Sequence, residues 1–412
     1  MAPFIFQNFS VASRAFLKFD RVLLKINLVI ANMTMEIRER EVFMHRLFYT
    51  LATEDNKTVY LRELFALVFK SGLRKDDPRL QKFFERALIT QTGKDHYDDS
   101  EPHLTEDEFM NCVRDGGEMV GKAVVEDFIV PEFDQCVQVF TEIYEKFKVL
   151  DEGHVSTSIP QLARADPNLW GVSVCTIDGQ RISLGDANQL FCMQSLCLPL
   201  IYAMALNELS TDFVHKYVGK EPSGRSSNEL SLDYNNKPHN PLITSGGLAV
   251  LSLIRNESSV SDRYDYIFNE IRKIAGSTQI SFSNSVFLSE REQADRNWAI
   301  GHFLNEHNAF PCKDKLADTL DLFFQSCSIE GNCDSIAVIA ATLANGGICP
   351  LTGEKVLHGE SVRNTLSLMH SCGMQDYSGQ FAFTVGLPAK SSVSGAIMVQ
   401  FFFLVLHAFL NT

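Results

Sequence analysis

The sequence lacks the patterns of cysteine and histidine that bind structural metals. Its ten cysteines are scattered along 412 residues, and neither a CxxC pair nor an HExxH stretch occurs. A metal site is therefore not expected. The dense cysteine spacing of small secreted scaffolds is also missing, so we expect reduced thiols.

Positive charge is scarce as well. The chain has 37 Lys and Arg against 51 Asp and Glu, which gives a formal net charge of −14. Clustered Lys and Arg are the residues that hold the phosphates of nucleic acids. Nucleic acid is therefore not an expected partner.

One apolar run stands out, but it is short for a membrane span. Residues 396–410 are interrupted only by Gln400 and His407, whereas a transmembrane helix needs about 20 apolar residues. We predict a buried strand there, with a tail anchor as the less favoured alternative.

The composition is otherwise that of a folded protein, with 45% hydrophobic and 21% charged residues. The length predicts two or three domains. Residues 1–40 look like a mitochondrial targeting segment, because basic residues are spaced among apolar ones. An ordinary N-terminal helix and a cytoplasmic location are the alternatives. The basic residues are Arg14, Lys18, Arg21 and Lys25.

Residues 41–151 have the periodicity of a charged helical module. Three acids stand at the first, fifth and twelfth positions of a possible calcium loop, namely Asp95, Asp99 and Glu106. Tyr97 and Ser100 occupy positions that need an oxygen ligand and glycine. We therefore predict an acidic surface loop and no calcium site.

Residues 152–412 show a different pattern, of strands and buried helices. Two strands joined by a tight turn are predicted at 171–177 and 180–183, with closing strands at 381–387 and 394–405. Buried helices are predicted at 195–209 and 333–345. The fold class is therefore α+β, with helices clustered around an antiparallel sheet.

Ser195 would stand near the N-terminus of a buried helix. The N–H groups and dipole of a helix can stabilise negative charge that develops nearby. Serines at helix starts are far more often caps than nucleophiles, however. A nucleophilic serine also needs a base to take its proton.

Several long stretches identify the family that this chain resembles. They are residues 170–181 (WGVSVCTIDGQR), 217–224 (YVGKEPSG), 237–241 (KPHNP), 289–292 (SERE), 295–297 (DRN), 341–347 (ATLANGG), 363–374 (RNTLSLMHSCGM), 378–383 (SGQFAF) and 385–391 (VGLPAKS). In these stretches the chain closely resembles glutaminases, above all the kidney- and liver-type enzymes of animals.

The resemblance implies a β-lactamase/transpeptidase-like domain preceded by an EF-hand-like helical domain. It implies hydrolysis of L-glutamine to L-glutamate and ammonia through a serine acyl-enzyme, with no metal or organic cofactor. A homotetramer, stimulation by phosphate and a mitochondrial location are also implied.

The resemblance assigns Ser195 as the nucleophile of a Ser-x-x-Lys motif, in which the lysine accepts the serine proton. In this chain the lysine position is Leu198, which has no titratable group. Glu290 and Asn297 would hold the amino group and carboxylate of glutamine. The backbone N–H groups of Ser195 and Val393 would stabilise the oxyanion.

Other site positions of the family are altered in this chain. Ser158, Phe323 and Gln375 each replace a tyrosine, Thr244 replaces an asparagine, and Ser392 replaces the glycine of a Lys-Ser-Gly stretch. An added Cβ at Ser392 would crowd a strand that lines the site.

Two interpretations remain open at this point. One is an active glutaminase that uses another base, such as a water relay or His239. The other is an inactive glutaminase-like paralogue, which serves as a ligand sensor or assembles with an active relative. Chemistry favours the second, because catalytic residues act as a unit; the family resemblance favours the first.

Overall fold

The computed structural model describes residues 37–53, 57–92, 102–115, 117–150, 152–311, 315–401 and 404–409. Within the chain, contacts define two compact units that divide between Ile143 and Tyr144. Residues 1–36 of the predicted targeting segment lie outside the described residues, as do Asp95 and Asp99 of the acidic loop.

The first unit is built of helices joined by one small antiparallel pairing. Its elements are α1 (Ile37–Leu51), β1 (Thr58–Tyr60), α2 (Leu61–Lys70), α3 (Gln81–Thr92), β2 (His103–Thr105), α4 (Glu106–Asp115) and α5 (Gly117–Val125), and α6 (Phe133–Phe147) runs across the division. β1 pairs with β2 in the register Val59↔Leu104. Both of these side chains are fully buried with Phe48, Phe83 and Phe109, so the strand pair closes the core between the helices.

The second unit contains a five-stranded antiparallel sheet. Its strands are β3 (Gly171–Thr176), β4 (Arg181–Gly185), β8 (Ala389–Ser391), β9 (Ala396–Gln400) and β10 (Leu404–Phe409), in the spatial order β4-β3-β10-β9-β8. The predicted hairpin of β3 and β4 is confirmed, with Val174 opposite Ile182. A smaller antiparallel sheet joins β5 (Phe191–Cys192), β6 (Ile280–Phe282) and β7 (Ile329–Gly331) in the order β5-β7-β6.

Helices make up most of the remaining second unit. They are α7 (Cys197–Glu208), α8 (Thr211–Val214), α9 (Thr244–Leu253), α10 (Val260–Ile274), α11 (Asn284–Glu292), α12 (Asp295–Glu306), α13 (Leu316–Cys327), α14 (Cys333–Ala344), α15 (Gly359–Cys372) and α16 (Ser378–Thr384). α7 is buried from Cys197 to Leu206, and α14 packs on β3, β9 and β10. The buried helices predicted at 195–209 and 333–345 are therefore confirmed.

The strand predicted at residues 381–387 is wrong, because this segment lies largely in helix α16. Phe381 is 1% exposed and Phe383 is 90% exposed. Side chains two residues apart share one face of a strand but not of a helix. The helix ends before Gly386, whose φ of 73° lies in the left-handed region.

The run at residues 396–410 forms two strands and not one. β9 and β10 pair antiparallel, with Val405 opposite Gln400, so the chain reverses between them. β10 also pairs with β3 and therefore lies inside the sheet. Pairing with a distant strand decided this arrangement, which composition alone could not indicate. Of the described helices, none has the length and apolar character needed to cross a membrane.

Candidate active site

Ser195 lies in a tight turn that joins the smaller sheet to the buried helix α7. The Met193 N–H donates to the carbonyl of Ile329 at 2.7 Å, which ties the chain to β7 just before the turn. Residues Gln194–Leu196 form one turn of 3-10 helix that leads into α7. The predicted position of Ser195 at the start of a buried helix is confirmed.

The residue before Ser195 has a strained backbone. Gln194 has a φ of +50°, in the left-handed region that residues with a Cβ rarely adopt. Its side-chain amide donates to Glu290 Oε1 at 2.9 Å, which helps to hold it there. Such strain is often found at functional sites, where surrounding contacts impose a particular geometry.

The Ser195 hydroxyl contacts a buried amine. Lys390 Nζ lies 3.3 Å from Ser195 Oγ, and both groups donate to the carbonyl of Ser391, the hydroxyl at 3.0 Å. Lys390 is 1% exposed. Burial lowers the pKa of Lys390 to about 8, an effect that the thiols of Cys197 and Cys327 partly oppose. The described chain thus places a weakly basic amine beside the serine.

The strand that carries Lys390 is anchored on both sides. Lys390 is paired with Met398 of β9, and the Ser391 N–H donates to the Gly373 carbonyl at 3.1 Å. A Cβ at Gly373 would overlap the backbone carbonyl of Ala389. Gly373 therefore permits the close approach of α15 that positions β8.

Ser392 is bonded to the segment that carries the nucleophile. Its hydroxyl donates to the Met193 carbonyl at 3.0 Å, and its N–H donates to the Ala396 carbonyl at 2.9 Å. The side chain that we expected to crowd the strand thus joins the turn after β8 to the residue that precedes Gln194.

Leu198 and Phe323 form an apolar contact with α9. Leu198 is 3% exposed and Phe323 is 7% exposed. A Cβ built on Gly247 would lie 2.8 Å from Leu198 Cδ2 and 3.3 Å from Phe323 Cε2. Two positions that the resemblance marks as altered therefore pack against the same residue of α9.

The two residues predicted to hold glutamine lie on consecutive helices. Glu290 is half-buried in α11, and burial raises the pKa of its carboxyl, while the hydrogen bond from Gln194 acts in the opposite direction. Asn297 is half-buried in α12. The Gln194 bond couples Glu290 to the residue next to Ser195.

The proposed oxyanion donors are two backbone N–H groups. Val393 lies in the turn between β8 and β9 and is 42% exposed. Among the described residues, neither the Ser195 N–H nor the Val393 N–H has a hydrogen-bond acceptor. Both remain available in this structure to bind an external oxygen.

The other positions that the resemblance marks as altered are less enclosed. Ser158 is exposed and its hydroxyl lies 3.1 Å from that of Ser156. Gln375 is exposed and has a φ of +53°. Thr244 begins α9, where its N–H donates to the Ser227 carbonyl at 3.1 Å. The structure gives none of these three a contact with Ser195.

Sequence reasoning missed two residues of the site, Lys390 and Gln194. The signal for Lys390 was its place in a stretch expected to line the site, but a strand position does not reveal which group its side chain reaches. The sequence suggests a water relay or His239 as the base instead; the backbone carbonyl of His239 accepts from the Glu221 N–H at 3.0 Å. In the described part of the chain, no cluster of three His, Cys, Asp or Glu could hold a metal.

Comparison with known proteins gives matches over both units. The sequence model of the glutaminase family matches residues 153–401, and that of an EF-hand domain matches residues 43–131. The chain is 47% identical over 354 residues to "Putative glutaminase 3" of Caenorhabditis elegans, covering 86% of this chain and 61% of the relative. It is 46% identical over 355 residues to "Glutaminase liver isoform, mitochondrial" of Rattus norvegicus, covering 86% and 58%. The chain thus spans about three fifths of the length of these relatives.

A bacterial relative and solved structures match as well. A "Glutaminase" of Trichormus variabilis is 39% identical over 262 residues, covering 63% of this chain and 77% of the relative. The solved structure of the "Probable glutaminase ybaS" has a TM-score of 0.65 at 31% identity, covering 68% of this chain and 90% of that one. Mglu in its tris and glutamate form has a TM-score of 0.63 at 31% identity, covering 67% and 61%.

Proposed function

Since the chain belongs to the glutaminase family, we propose that it hydrolyses the side-chain amide of L-glutamine to give L-glutamate and ammonia. Its second unit has the β-lactamase-like fold and its first unit is an EF-hand domain. The observation that carries the proposal is the strained turn that presents the Ser195 hydroxyl beside a buried amine. Ser195 is the nucleophile and forms an acyl-enzyme with the glutamyl group.

The substrate is held by groups on several elements. Glu290 binds the amino group of glutamine and Asn297 binds its carboxylate. The free N–H groups of Ser195 and Val393 stabilise the tetrahedral oxyanion, because preorganised donors act most strongly where charge develops. The hydrogen bond from Gln194 to Glu290 supports this assignment, since it couples substrate binding to the nucleophile turn.

The test is glutamate release by the purified full-length chain with saturating glutamine and phosphate. Ser195→Ala should abolish turnover, because no other group forms the acyl-enzyme. Ser367→Ala is the matched control, since this exposed hydroxyl in α15 bonds only its own helix. Turnover that survives Ser195→Ala, or no turnover by the unchanged chain, would contradict the proposal.

A second function is binding without turnover, in a ligand sensor or an assembly partner of an active relative. The apolar contact of Leu198 and Phe323 with α9 favours it, because a titratable group has been lost there. Calorimetry would support this second function if glutamine bound with a defined stoichiometry while no ammonia was released.

The chain's location and assembly follow the same family argument. We propose a mitochondrial location, supported by the basic, apolar residues 1–35 and by the mitochondrial liver isoform among its relatives. A homotetramer, or a hetero-oligomer with a relative, and activation by phosphate are proposed on the family resemblance. Sedimentation tests the assembly, and glutamate release with and without phosphate tests the activation.

A further inference from the structure

A basic group contacts Ser195, although position 198 in the helix that follows it is a leucine. In the part of the chain that the structure describes, the amine next to the Ser195 hydroxyl is Lys390, at 3.3 Å and from a different element, β8. A heavy-atom separation near 3.2 Å is within reach of proton transfer, and such distances are often longer before substrate binds. For the proton to pass to Lys390, the hydroxyl hydrogen of Ser195 must turn about the Cβ–Oγ bond, away from the Ser391 carbonyl and towards Lys390 Nζ.

We propose that Lys390 is the catalytic base of this protein and takes over the proton transfer that Leu198 cannot perform. This inference rests on the proposed function of Ser195. It differs from a water relay or His239 as the base, because it needs no group beyond those already in contact.

The surroundings of Lys390 suit a base, because they leave its neutral form accessible. The titratable groups that face its amine are the thiols of Cys197 in α7 and Cys327 in α13. β9 and the Gln194–Leu196 turn, which also pack against β8, contain no titratable residue. α15 packs there too, with its Cys372 thiol buried and its charged and histidine side chains exposed: Glu360, Arg363 and His370.

Burial lowers the pKa of Lys390 to about 8. Far more of the amine is therefore neutral at about pH 7.5 than in an ordinary lysine, whose pKa of about 10.4 would leave it almost entirely protonated. A base that titrates near the working pH is the most effective one for proton transfer.

The steps balance with Lys390 as the only proton carrier. As Ser195 Oγ bonds to the amide carbon, its proton passes to the lone pair of Lys390 Nζ and the carbonyl π electrons move to oxygen. When the carbon–nitrogen bond breaks, the ammonium of Lys390 protonates the leaving nitrogen and ammonia departs. Water then attacks the acyl-enzyme and gives a proton to Lys390, which returns it to Ser195 Oγ as glutamate forms.

Three variants test this assignment in the full-length chain. Lys390→Met removes the amine, and Lys390→Arg keeps a positive charge but cannot accept a proton at neutral pH. Both should lower kcat by at least about 100-fold, the usual effect of losing a general base, with a smaller change in KM. Lys355→Met, on an exposed side chain, is the matched control and should retain the natural rate.

A pH profile and a serine-directed probe complete the experiment. kcat of the unchanged chain should rise with pH, with a midpoint near 8. A fluorophosphonate should label Ser195 with the same pH dependence, and Lys390→Met should slow this labelling at least about 100-fold. Thermal melts should show that Lys390→Met is as stable as the unchanged chain or more so.

The outcomes separate this inference from the proposed function. Ser195-dependent turnover that survives Lys390→Met or Lys390→Arg would overturn the inference and leave the function standing. Labelling of Ser195 that needs Lys390, without glutamine turnover, would support the inference and overturn the function. Labelling unaffected by Lys390→Met, or none at any pH, would overturn the inference.

Discussion

Leu198 places an apolar side chain in the helix that follows Ser195 and, with Phe323, makes the contact with Gly247 apolar. Both side chains are buried. Replacing a methyl group by an ammonium at such a point costs stability unless partners are supplied. Leucine at position 198 therefore fits the local packing, and a lysine there would also disturb the contact with Phe323 and α9.

We expect Leu198→Lys alone to add little activity to that of the unchanged chain. The new ammonium would face Phe323 and the helix α9, so it should lower the free energy of unfolding by about 1–3 kcal/mol. Leu198→Lys combined with Ser158→Tyr, Thr244→Asn, Phe323→Tyr and Gln375→Tyr should raise the activity more than Leu198→Lys alone. Glutamate release, measured with and without Ser195→Ala, gives the comparison.

Leu198→Met is the control for packing at this position. It keeps the volume and should cost less than about 1.5 kcal/mol. If Leu198→Lys alone raised turnover tenfold or more over both the unchanged chain and Leu198→Met, the packing argument would be wrong.

Lys390 should destabilise the fold at neutral pH. Its pKa falls from 10.5 to about 8 on folding, so the folded state binds the proton less tightly than the unfolded state. Lys390 lowers the free energy of unfolding by its full amount below about pH 8. This effect shrinks as pH rises from 8 to 10.5 and is absent above that. Lys390→Met should therefore raise the free energy of unfolding by about 1–3 kcal/mol at pH 7.

Urea unfolding at pH 7, 9 and 10 measures this difference between Lys390→Met and the unchanged chain. A difference that stays constant over this range would show that the lysine is not desolvated as described. Lys355→Met, where the side chain is exposed, should show no pH-dependent difference.

At the scale of elements, the position of β8 depends on close contact with the end of α15. Gly373→Ala should push β8 away, because its Cβ would overlap the Ala389 carbonyl. We expect a loss of about 1–3 kcal/mol in stability and at least a tenfold fall in kcat, since misplacing a catalytic group by about 1 Å is costly.

Gly379→Ala is the matched control for this change. Gly379 lies in α16, and no neighbouring atom lies within 4 Å of the position of an added Cβ. The substitution should be neutral or slightly stabilising, because alanine favours helix. Equal kcat values for Gly373→Ala and Gly379→Ala would show that the separation of β8 from α15 does not control the site.

Two elements show where local sequence was insufficient. The sequence predicts a strand at residues 381–387, yet the burial of Phe381 and exposure of Phe383 are those of a helix. The run at 396–410 became two strands because β10 pairs with β3, more than two hundred residues earlier in the chain. Neither pairing partners nor the solvent-facing side can be determined from a short apolar segment.

At the scale of the whole molecule, residues 1–35 are expected to be dispensable for folding and to direct the chain to mitochondria. A basic, apolar segment with few acids is typical of a targeting sequence. Fused to a fluorescent protein, this segment should produce mitochondrial fluorescence. The control replaces Arg14, Lys18, Arg21 and Lys25 by Gln and should be diffuse; diffuse fluorescence from the unchanged fusion would contradict the prediction.

The sequence by itself determined the family, the α+β class, the buried helices and the position of Ser195 at the start of one of them. It did so because long motifs specify a fold and because helix periodicity is a local property. It also showed that Leu198 has no titratable group, since side-chain chemistry can be read directly from the residue type.

Only the tertiary structure decided which basic group meets Ser195. Lys390 is 195 residues away in sequence, and its reach depends on the contact at Gly373, the pairing of β8 with β9 and the strained turn at Gln194. Its lowered pKa depends on burial among side chains from other elements. The distance from Lys390 to Ser195 and the desolvation of the Lys390 amine both arise from packing between segments that are remote in the chain. Local sequence patterns therefore do not reveal them.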